Sequence, residues 1–354
     1  MTDYIKILFV APCLSMGGME RAAVNTANGL SQQGAEIVFL SLFKKPHFFT
    51  LNSEVKLLEP VGFNIDSLSL SKSIRWIRTE VQKCKPTHVL AFNKLYGAIT
   101  ALALVGINIP LFISERSSPL FKWQFPFNWI NRIAYTINPP KGVIAQTRIA
   151  ADYQRQYFKH SIVKVIPNSV REVKLYPEIK RENIILAVGR LHDHLKGFDL
   201  LLQAVALLKN QDWEIQIAGG VGEGNPLKKL AIHLGVSHRV KFLGKIKDID
   251  PLYAKAGIFV IPSRSEGFPN ALAEAMAAGC CCVAFDFTAG PRDLIKNGVN
   301  GIIINNGDTK QLAKSIDNLI NDLKLRNILG VNALDVKHRL DLKEISKEIL
   351  YFLK

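Results

Sequence analysis

Apolar residues in this chain come in short unbroken runs rather than in strict alternation. In the first half the runs "KILFVAP", "EIVFLSLF", "THVLAFN", "PLFISE" and "GVIAQT" follow one another, with helical stretches between some of them. Runs of this length without a polar face predict parallel strands buried on both sides. The first helical stretch, "GGMERAAVNTANGLSQQG", is predicted to close at Gly34. At "VKVIPNSV" the chain meets a Pro-Asn corner, followed by a loop of mixed charge up to Glu182. The alternation then restarts with strands at "NIILAVGR", "WEIQIAGG", "VKFLGK", "IFVIPS" and "CCCVAFD". Helices are predicted at "FDLLLQAVALLKN", "NPLKKLAIHLG" and "IDPLYAKAG", and the part after about Thr309 reads as mostly helical. This pattern predicts an α/β fold of two successive doubly wound, Rossmann-like domains, 1–165 and 166–354, with the terminal helices placed to pack back on the first. Ligands of such sheets bind beyond the carboxyl ends of the strands, so the expected site is a cleft between the domains.

Two runs have membrane-like character. Residues 7–16, "ILFVAPCLSM", have the length of a signal-peptide core, but no small-x-small cleavage pattern follows, and a first strand is expected. Residues 95–114 are uncharged and long enough to span a bilayer. Gly106, Asn108 and Pro110 divide them, which predicts a buried helix followed by a strand. Composition is that of a globular protein, with 48% hydrophobic and 21% charged residues. The five cysteines are odd in number and three are consecutive, which suits small core residues of a reduced chain rather than a disulfide framework or a Cys-x-x-Cys metal site. The formal net charge is +15, of which +10 falls in residues 1–165. Such an excess favours anionic partners. No zinc-finger spacing or aromatic RNA-binding signature accompanies it, so no nucleic acid is expected.

The candidate chemistry sits in three clusters. In "EGFPNALAEAMAAG", Glu266 and Glu274 stand eight positions apart among apolar and small residues. Buried carboxylates need partners. The loop after "IFVIPS" carries Glu266, Pro269 suits the first helical turn, and Glu274 falls about one turn inside the helix. The amides of Phe268 and Asn270 are expected to lack intrahelical partners, which makes the stretch a receptor for an anionic or hydroxylated ligand. Two carboxylates beside it suit vicinal hydroxyls of a sugar or ribose. The pair does not suit a hydrolase, whose two acids flank a scissile bond from opposite sides. In "AVGRLHDHLKG", Arg190 and Lys196 point to phosphate. His192, Asp193 and His194 cannot easily converge on a metal from one loop. Asp248 and Asp250 in "KDIDP" are better read as a helix cap before Pro251. In "PCLSMGGMERAA", Gly17 and Gly18 lie between the first strand and helix, where glycine lets a backbone approach a ligand. "GGVGEG", residues 219–224, is a weak Gly-rich turn, and no P-loop occurs.

Together these segments resemble the retaining glycosyltransferases of family 4, which have the GT-B fold. "GRLHDHLKGFDLLLQA", "VKFLGKI", "GFPNALAEAMAAG", "AGPRDLIKNGVNGIIINNGD" and the early "GGMERAA" match the family pattern in order over nearly the whole chain. The resemblance implies an acceptor-binding first domain and a nucleotide-sugar-binding second domain. It implies that Glu266 touches the donor sugar and that Glu274 holds the ribose. The amides around Phe268, Pro269 and Asn270 would contact sugar and phosphate, and Arg190 and Lys196 would neutralise the diphosphate. Gly18 would let the first domain close on the donor, and Lys245 and Ile246 would lie near the base. One position departs from the pattern. Many members carry a histidine where this chain has Arg116, and an arginine cannot accept a hydrogen bond from a sugar hydroxyl. Arg116 is expected to contact the diphosphate or an acidic acceptor instead.

The function implied is transfer of a hexose or N-acetylhexosamine from a UDP-sugar, with retention, to a glycan acceptor, without metal or other cofactor. Two amphipathic stretches, 68–85 and 119–135, combine aromatic or apolar residues with Lys and Arg. Such stretches suit an anionic membrane surface. They point to a lipid-linked acceptor and a peripheral position on the cytoplasmic face of the membrane, in polysaccharide, lipopolysaccharide or glycolipid assembly. The rival readings are a sugar-nucleotide epimerase of similar fold and an inactive sugar-nucleotide- or lipid-binding protein.

Overall fold

The computed structural model describes residues 4–65, 67–220 and 226–354. Two compact units form: residues up to Ser169 together with Leu340–Lys354, and Val170–Arg339.

The first unit is built on strands β1 (Lys6–Ala11), β2 (Glu36–Ser41), β3 (Lys56–Leu58), β4 (His88–Phe92), β5 (Leu111–Glu115), β6 (Gly142–Ala145) and β7 (Ile162–Val165). They form one sheet in the order β3-β2-β1-β4-β5-β6-β7, every pairing parallel. Its helices are α1 (Gly18–Gln32), α2 (Leu70–Cys84), α3 (Lys94–Ala103), α4 (Phe127–Ile137) and α5 (Arg148–Tyr157). The unbroken apolar runs have a direct cause. Alternate residues of β1 enter two different cores. Ile7 and Phe9 pack with Phe39, Phe92 and Phe112 on one face, and Leu8 and Val10 pack with Leu40, Val89 and Ile113 on the other.

The C-terminal helix, Leu342–Leu353, packs in this first unit although it is last in sequence. Ile345, Ile349 and Leu353 join the core that contains Ala23, Ala27 and Leu30 of α1. A β-carbon on Gly29 would overlap the Ser346 hydroxyl, so Gly29 sets the close approach of the two helices.

The second unit contains β8 (Glu182–Val188), β9 (Glu214–Ala218), β10 (Val240–Gly244), β11 (Ala256–Ile261), β12 (Cys282–Phe285) and β13 (Ile302–Ile304). The sheet order is β10-β9-β8-β11-β12-β13, again all parallel. The helices are α6 (Phe198–Ala206), α7 (Pro226–His233), α8 (Asp250–Lys255), α9 (Asn270–Ala277), α10 (Pro291–Leu294), α11 (Thr309–Asn321), α12 (Leu323–Ala333) and α13 (Val336–Arg339).

Strand order reverses between β1 and β4 in the first sheet and between β8 and β11 in the second. Each reversal opens a crevice at the carboxyl ends of the two strands involved, the place where doubly wound sheets bind ligands.

Three short strands were not expected. β3 and β13 have three residues each, and β7 has four, ending just before the Pro-Asn corner at Pro167 and Asn168. All three are edge strands. They carry too few residues for a periodic signal, and their pairing with a preformed neighbour decides them. Residues 95–114 divide as anticipated into α3 and β5. Among the described residues no helix is long and apolar enough to cross a membrane. The five cysteines form no disulfide. Cys280, Cys281 and Cys282 are buried, and burial pushes the Cys281 thiol up to about 12.

One surface expectation needs correction. Arg78 of α2 belongs to the 68–85 stretch expected to suit a membrane surface, but it is tied inward. Its guanidinium donates to the carbonyls of Ala103 (2.9 Å) and Val105 (2.8 Å) at the end of α3. Ile77 and Val81 are buried beside it, while Lys72 and Arg75 are exposed.

Candidate active site

Two loops meet at the switch point of the second sheet: residues 189–197 after β8 and residues 262–269 after β11. Pro262 ends the buried apolar strand β11, because it cannot donate to the ladder. Gly197 lies directly against it, at φ +67, and a β-carbon there would overlap the Pro262 carbonyl oxygen. The loops are then stitched together through Arg264. Its backbone N–H donates to the Leu195 carbonyl (2.7 Å) and its guanidinium to the His194 carbonyl (2.9 Å). The same guanidinium forms a bidentate pair with Asp199 at 2.7 and 2.6 Å. Burial raises the Asp199 carboxyl, but Arg264 outweighs it and holds the group below its ordinary range.

This joint brings together two of the anticipated residues. Lys196 Nζ lies 2.7 Å from both oxygens of Glu266, and the Ser263 hydroxyl donates to Oε1, also at 2.7 Å. Both charged side chains are mostly buried, Lys196 at 19% and Glu266 at 11% exposure. An ammonium and a carboxylate held this closely at a switch point form a compact dipolar receptor. One group suits an anionic phosphate oxygen and the other a hydroxyl. Arg190 is separate. It is 66% exposed and pairs with Asp193 at 2.9 Å. Asp193 also accepts from the Leu195 amide at 3.1 Å, so it shapes the loop. Among the described residues no three His, Cys, Asp or Glu side chains converge as metal ligands.

Gly197→Ala is expected to loosen this joint. The left-handed backbone alone costs an alanine about 1–2 kcal/mol, and the overlap with Pro262 adds to it. Gly298→Ala serves as the comparison, because Gly298 has φ +74 but open space around it. Chemical denaturation should show a clearly larger loss for Gly197→Ala; equal losses would mean that the close approach carries no strain.

Glu274 sits one turn inside α9 and is buried. Its partners come from residues that the sequence reading missed. Arg171 Nη2 lies 3.3 Å from Glu274 Oε2, and the Tyr253 hydroxyl donates to the same oxygen at 3.3 Å. Arg171 also clasps Asp250 with both terminal nitrogens, Nη1 to Oδ2 at 3.0 Å and Nη2 to Oδ1. The amide of Lys174 adds a third bond to Asp250, at 2.9 Å. Asp250 is therefore not a helix cap, contrary to expectation. It is the first residue of α8, buried, and its carboxylate holds Arg171, while Asp248 Oδ1 accepts from the Asp250 amide at 3.2 Å. Burial raises the Asp250 carboxyl, but its bonds from Arg171 and Lys174 and the charge of Arg171 hold it below its ordinary range. Burial lowers Arg171, but the Asp250 bonds and the charges of Glu274 and Asp250 raise it, so it stays a cation. One signal could have revealed the network: a buried glutamate requires a cation, and Arg171 is the first arginine after the Pro-Asn corner.

Two details of the α9 entry also differ from expectation. Pro269 occupies the cap position rather than the first helical turn, with φ −83 and ψ 71. The Asn270 amide is not available as a receptor; it donates to the Phe268 carbonyl at 2.9 Å, and Phe268 is buried. The loop after β12 covers this corner. Ser265 bridges to Thr288, and a β-carbon on Gly290 would come within 2.7 Å of Pro269 Cδ. Ile246 is partly exposed in the loop after β10, where the Lys245 side chain lies across Gly220. Of the "GGVGEG" turn, residues 221–224 lie outside the described residues.

In the first unit, Gly17 caps α1 with extended backbone (φ −173), and Gly18 begins the helix. The Glu20 carboxylate folds over Gly17. Arg116, at the end of β5, is buried. It is bonded to Asn168 and its guanidinium lies 5.1 Å from the Phe92 ring. Burial lowers its pKa to about 10, which leaves it cationic at neutral pH. Arg116 is thus buried, with its guanidinium reaching Asn168, just after β7.

This architecture defines a glycosyltransferase of the GT-B class. The family model for "Glycosyl transferases group 1" matches residues 172–336, and that for "Glycosyltransferase Family 4" matches residues 16–172. The chain belongs to glycosyltransferase family 4. A relative from Campylobacter jejuni is 28% identical over 98% of this chain and 97% of its own. It is a GalNAc-alpha-(1->4)-GalNAc-alpha-(1->3)-diNAcBac-PP-undecaprenol alpha-1,4-N-acetyl-D-galactosaminyltransferase. An uncharacterized glycosyltransferase from Haemophilus influenzae is 28% identical over 90% of each chain. Among solved structures, Anabaena HepE in complex with UDP superposes with a TM-score of 0.82 over 99% of both chains at 21% identity. A glycosyltransferase from Rickettsia africae does so at 0.81, over 99% of this chain and 98% of its own, at 19% identity. These two likenesses establish the fold.

Proposed function

We propose that the protein transfers a hexose or N-acetylhexosamine from a UDP-sugar, with retention, to a lipid-linked glycan during assembly of a cell-surface polysaccharide or lipopolysaccharide. The observation that carries this reading is the Lys196–Glu266 pair at the β8/β11 switch point, with buried Glu274 on the helix that follows. Lys196 meets the diphosphate, Glu266 a hydroxyl of the sugar, and Glu274 the ribose. In the reaction the bond from the anomeric carbon to the phosphate oxygen breaks. The acceptor hydroxyl attacks from the same face, and the departing diphosphate takes its proton. Lys196 and Arg190 stabilise charge on the leaving group, the main electrostatic task. No metal is invoked. The Campylobacter relative, named for an undecaprenol-diphosphate acceptor, supports the lipid-linked class, and HepE, solved with UDP, supports the nucleotide.

The test is a screen of sugar nucleotides for acceptor-dependent release of the nucleotide diphosphate, with and without lipid-linked glycans. Release from one UDP-sugar only when acceptor is present supports the reading. An epimer formed without acceptor points to an epimerase, and binding without turnover to an inactive binder.

The reading includes a peripheral position on the cytoplasmic face of an anionic membrane. Its support is an exposed apolar surface in the first unit. Phe125 is 77% exposed, and Leu120, Phe121, Trp129, Ile133 and Ile137 are about half exposed. Lys122 and Arg132 stand among them, also exposed. Aromatic and aliphatic groups with basic neighbours suit the interfacial layer of a bilayer. Replacing Phe125, Trp129 and Ile133 together by serine is expected to lower partition onto anionic vesicles at least tenfold. Replacing Lys72 and Arg75 should reduce it less, and added salt should weaken it. Equal binding to neutral and anionic vesicles, unmoved by these changes, would remove the membrane from the reading.

A further inference from the structure

We infer that Arg171 is a positioning residue of the donor site: it fixes the Glu274 carboxylate in the orientation that receives the nucleotide ribose. The inference rests on the proposed role of Glu274. Three facts on the molecule carry it. Arg171 bridges two buried carboxylates, Asp250 on α8 and Glu274 on α9. Its grip on Asp250 uses both terminal nitrogens, so the guanidinium plane is fixed before it meets Glu274. The bridge and the Tyr253 hydroxyl both address the same oxygen, Oε2. Contacts to one oxygen from two directions restrict the turning of the carboxylate about its terminal bond.

The arrangement is also costly unless it serves the site. Two acids and one base are taken out of water together, and such clusters are seldom chosen for stability alone. Asp250 provides the second negative charge that anchors Arg171. Arg171 itself lies two residues into the second unit, where its backbone follows the unit boundary. Its proposed action is through Glu274.

The distinguishing measurement is ribose selectivity, because loosened packing would weaken all nucleotides alike. Binding of UDP, 2′-deoxy-UDP and 3′-deoxy-UDP is measured by calorimetry to the wild type, Glu274→Gln, Arg171→Met and Arg171→Lys. A charged acceptor on a hydroxyl predicts that the wild type prefers UDP over at least one deoxy analogue by about tenfold or more. Glu274→Gln should reduce that preference to about twofold or less. Arg171→Met should reduce it at least threefold, and adding Arg171→Met to Glu274→Gln should reduce it no further. Arg171→Lys, which keeps the charge, should recover part of the preference. Should Arg171→Met not fold, Arg171→Gln carries the same test, since it keeps a hydrogen bond to Asp250.

An Arg171 variant that weakens all three nucleotides equally, with the preference intact, overturns the positioning role while leaving the ribose role of Glu274 standing. A Glu274→Gln variant with wild-type preference overturns the ribose role itself, and the inference with it.

Discussion

Lys196→Ala is expected to lower turnover by about 10² or more, comparable to the loss of one preorganised charge contact at a developing anion. The ammonium is mostly buried and held 2.7 Å from both oxygens of Glu266, so its position is fixed before any donor arrives. Alanine removes the charge proposed to meet the diphosphate. It also leaves Glu266 with Ser263 as its remaining contact in this loop joint, so a second function is disturbed at once. Under the proposed leaving-group role, Arg190→Ala should act in the same direction and to a similar extent, although Arg190 is exposed and pairs with Asp193. Single-turnover rates with the intact donor, on variants whose thermal unfolding matches the wild type, decide the matter. Near-normal rates in both variants would remove the two cations from the leaving-group role.

The second large effect separates the two glutamates. Glu274→Gln is expected to raise the dissociation constant of UDP at least tenfold, since a charged acceptor bonded to hydroxyls contributes about 1.5–3 kcal/mol. Glu266→Gln should leave UDP binding almost unchanged. It should instead reduce turnover and blur the choice among donor sugars, because a site built to bond a hydroxyl discriminates strongly against its absence. Their settings differ accordingly. Glu266 is bound to a lysine in the loop joint, and Glu274 is bound to Arg171 and Tyr253 behind it. Calorimetry with UDP, followed by rates with the donor, measures both. Indistinguishable behaviour of the two variants would show that they do not divide the donor between ribose and sugar.

Much of this was legible from residue order. The runs around Leu8, Val89, Ile113, Ile185 and Phe259 announced strands, since a strand with helices on both faces must be apolar at every position. The EGFPNALAEAMAAG and GRLHDHLKG segments marked the candidate site, because charged groups next to buried strands are rare unless they have partners. They also carried the family likeness. Short edge strands such as Lys56–Leu58 stayed invisible, since three residues have no period to detect.

What the sequence determined alone was therefore the type of each long element, the order of two α/β units and the candidate status of Arg190, Lys196, Glu266 and Glu274, but not of Arg171 or the role of Asp250. The tertiary structure decided what sequence distance hides. Strand order put the loop after β8 beside the loop after β11, which are some seventy residues apart, and so joined Lys196 to Glu266. It fixed which part of the terminal helical region makes the expected return to the first unit: residues 340–354 do, the apolar face of their helix fitting α1 at Gly29, while 309–339 stay in the second unit. It turned Asp250 from a helix cap into the anchor of Arg171, and Arg171 into the partner of Glu274. It buried Arg116 against Asn168 and tied Arg78 to the end of α3. The physical reason is common to all of these. A charged side chain leaves its type in the sequence, but the partner that makes its burial tolerable is chosen by packing, and packing brings together groups that no local pattern relates.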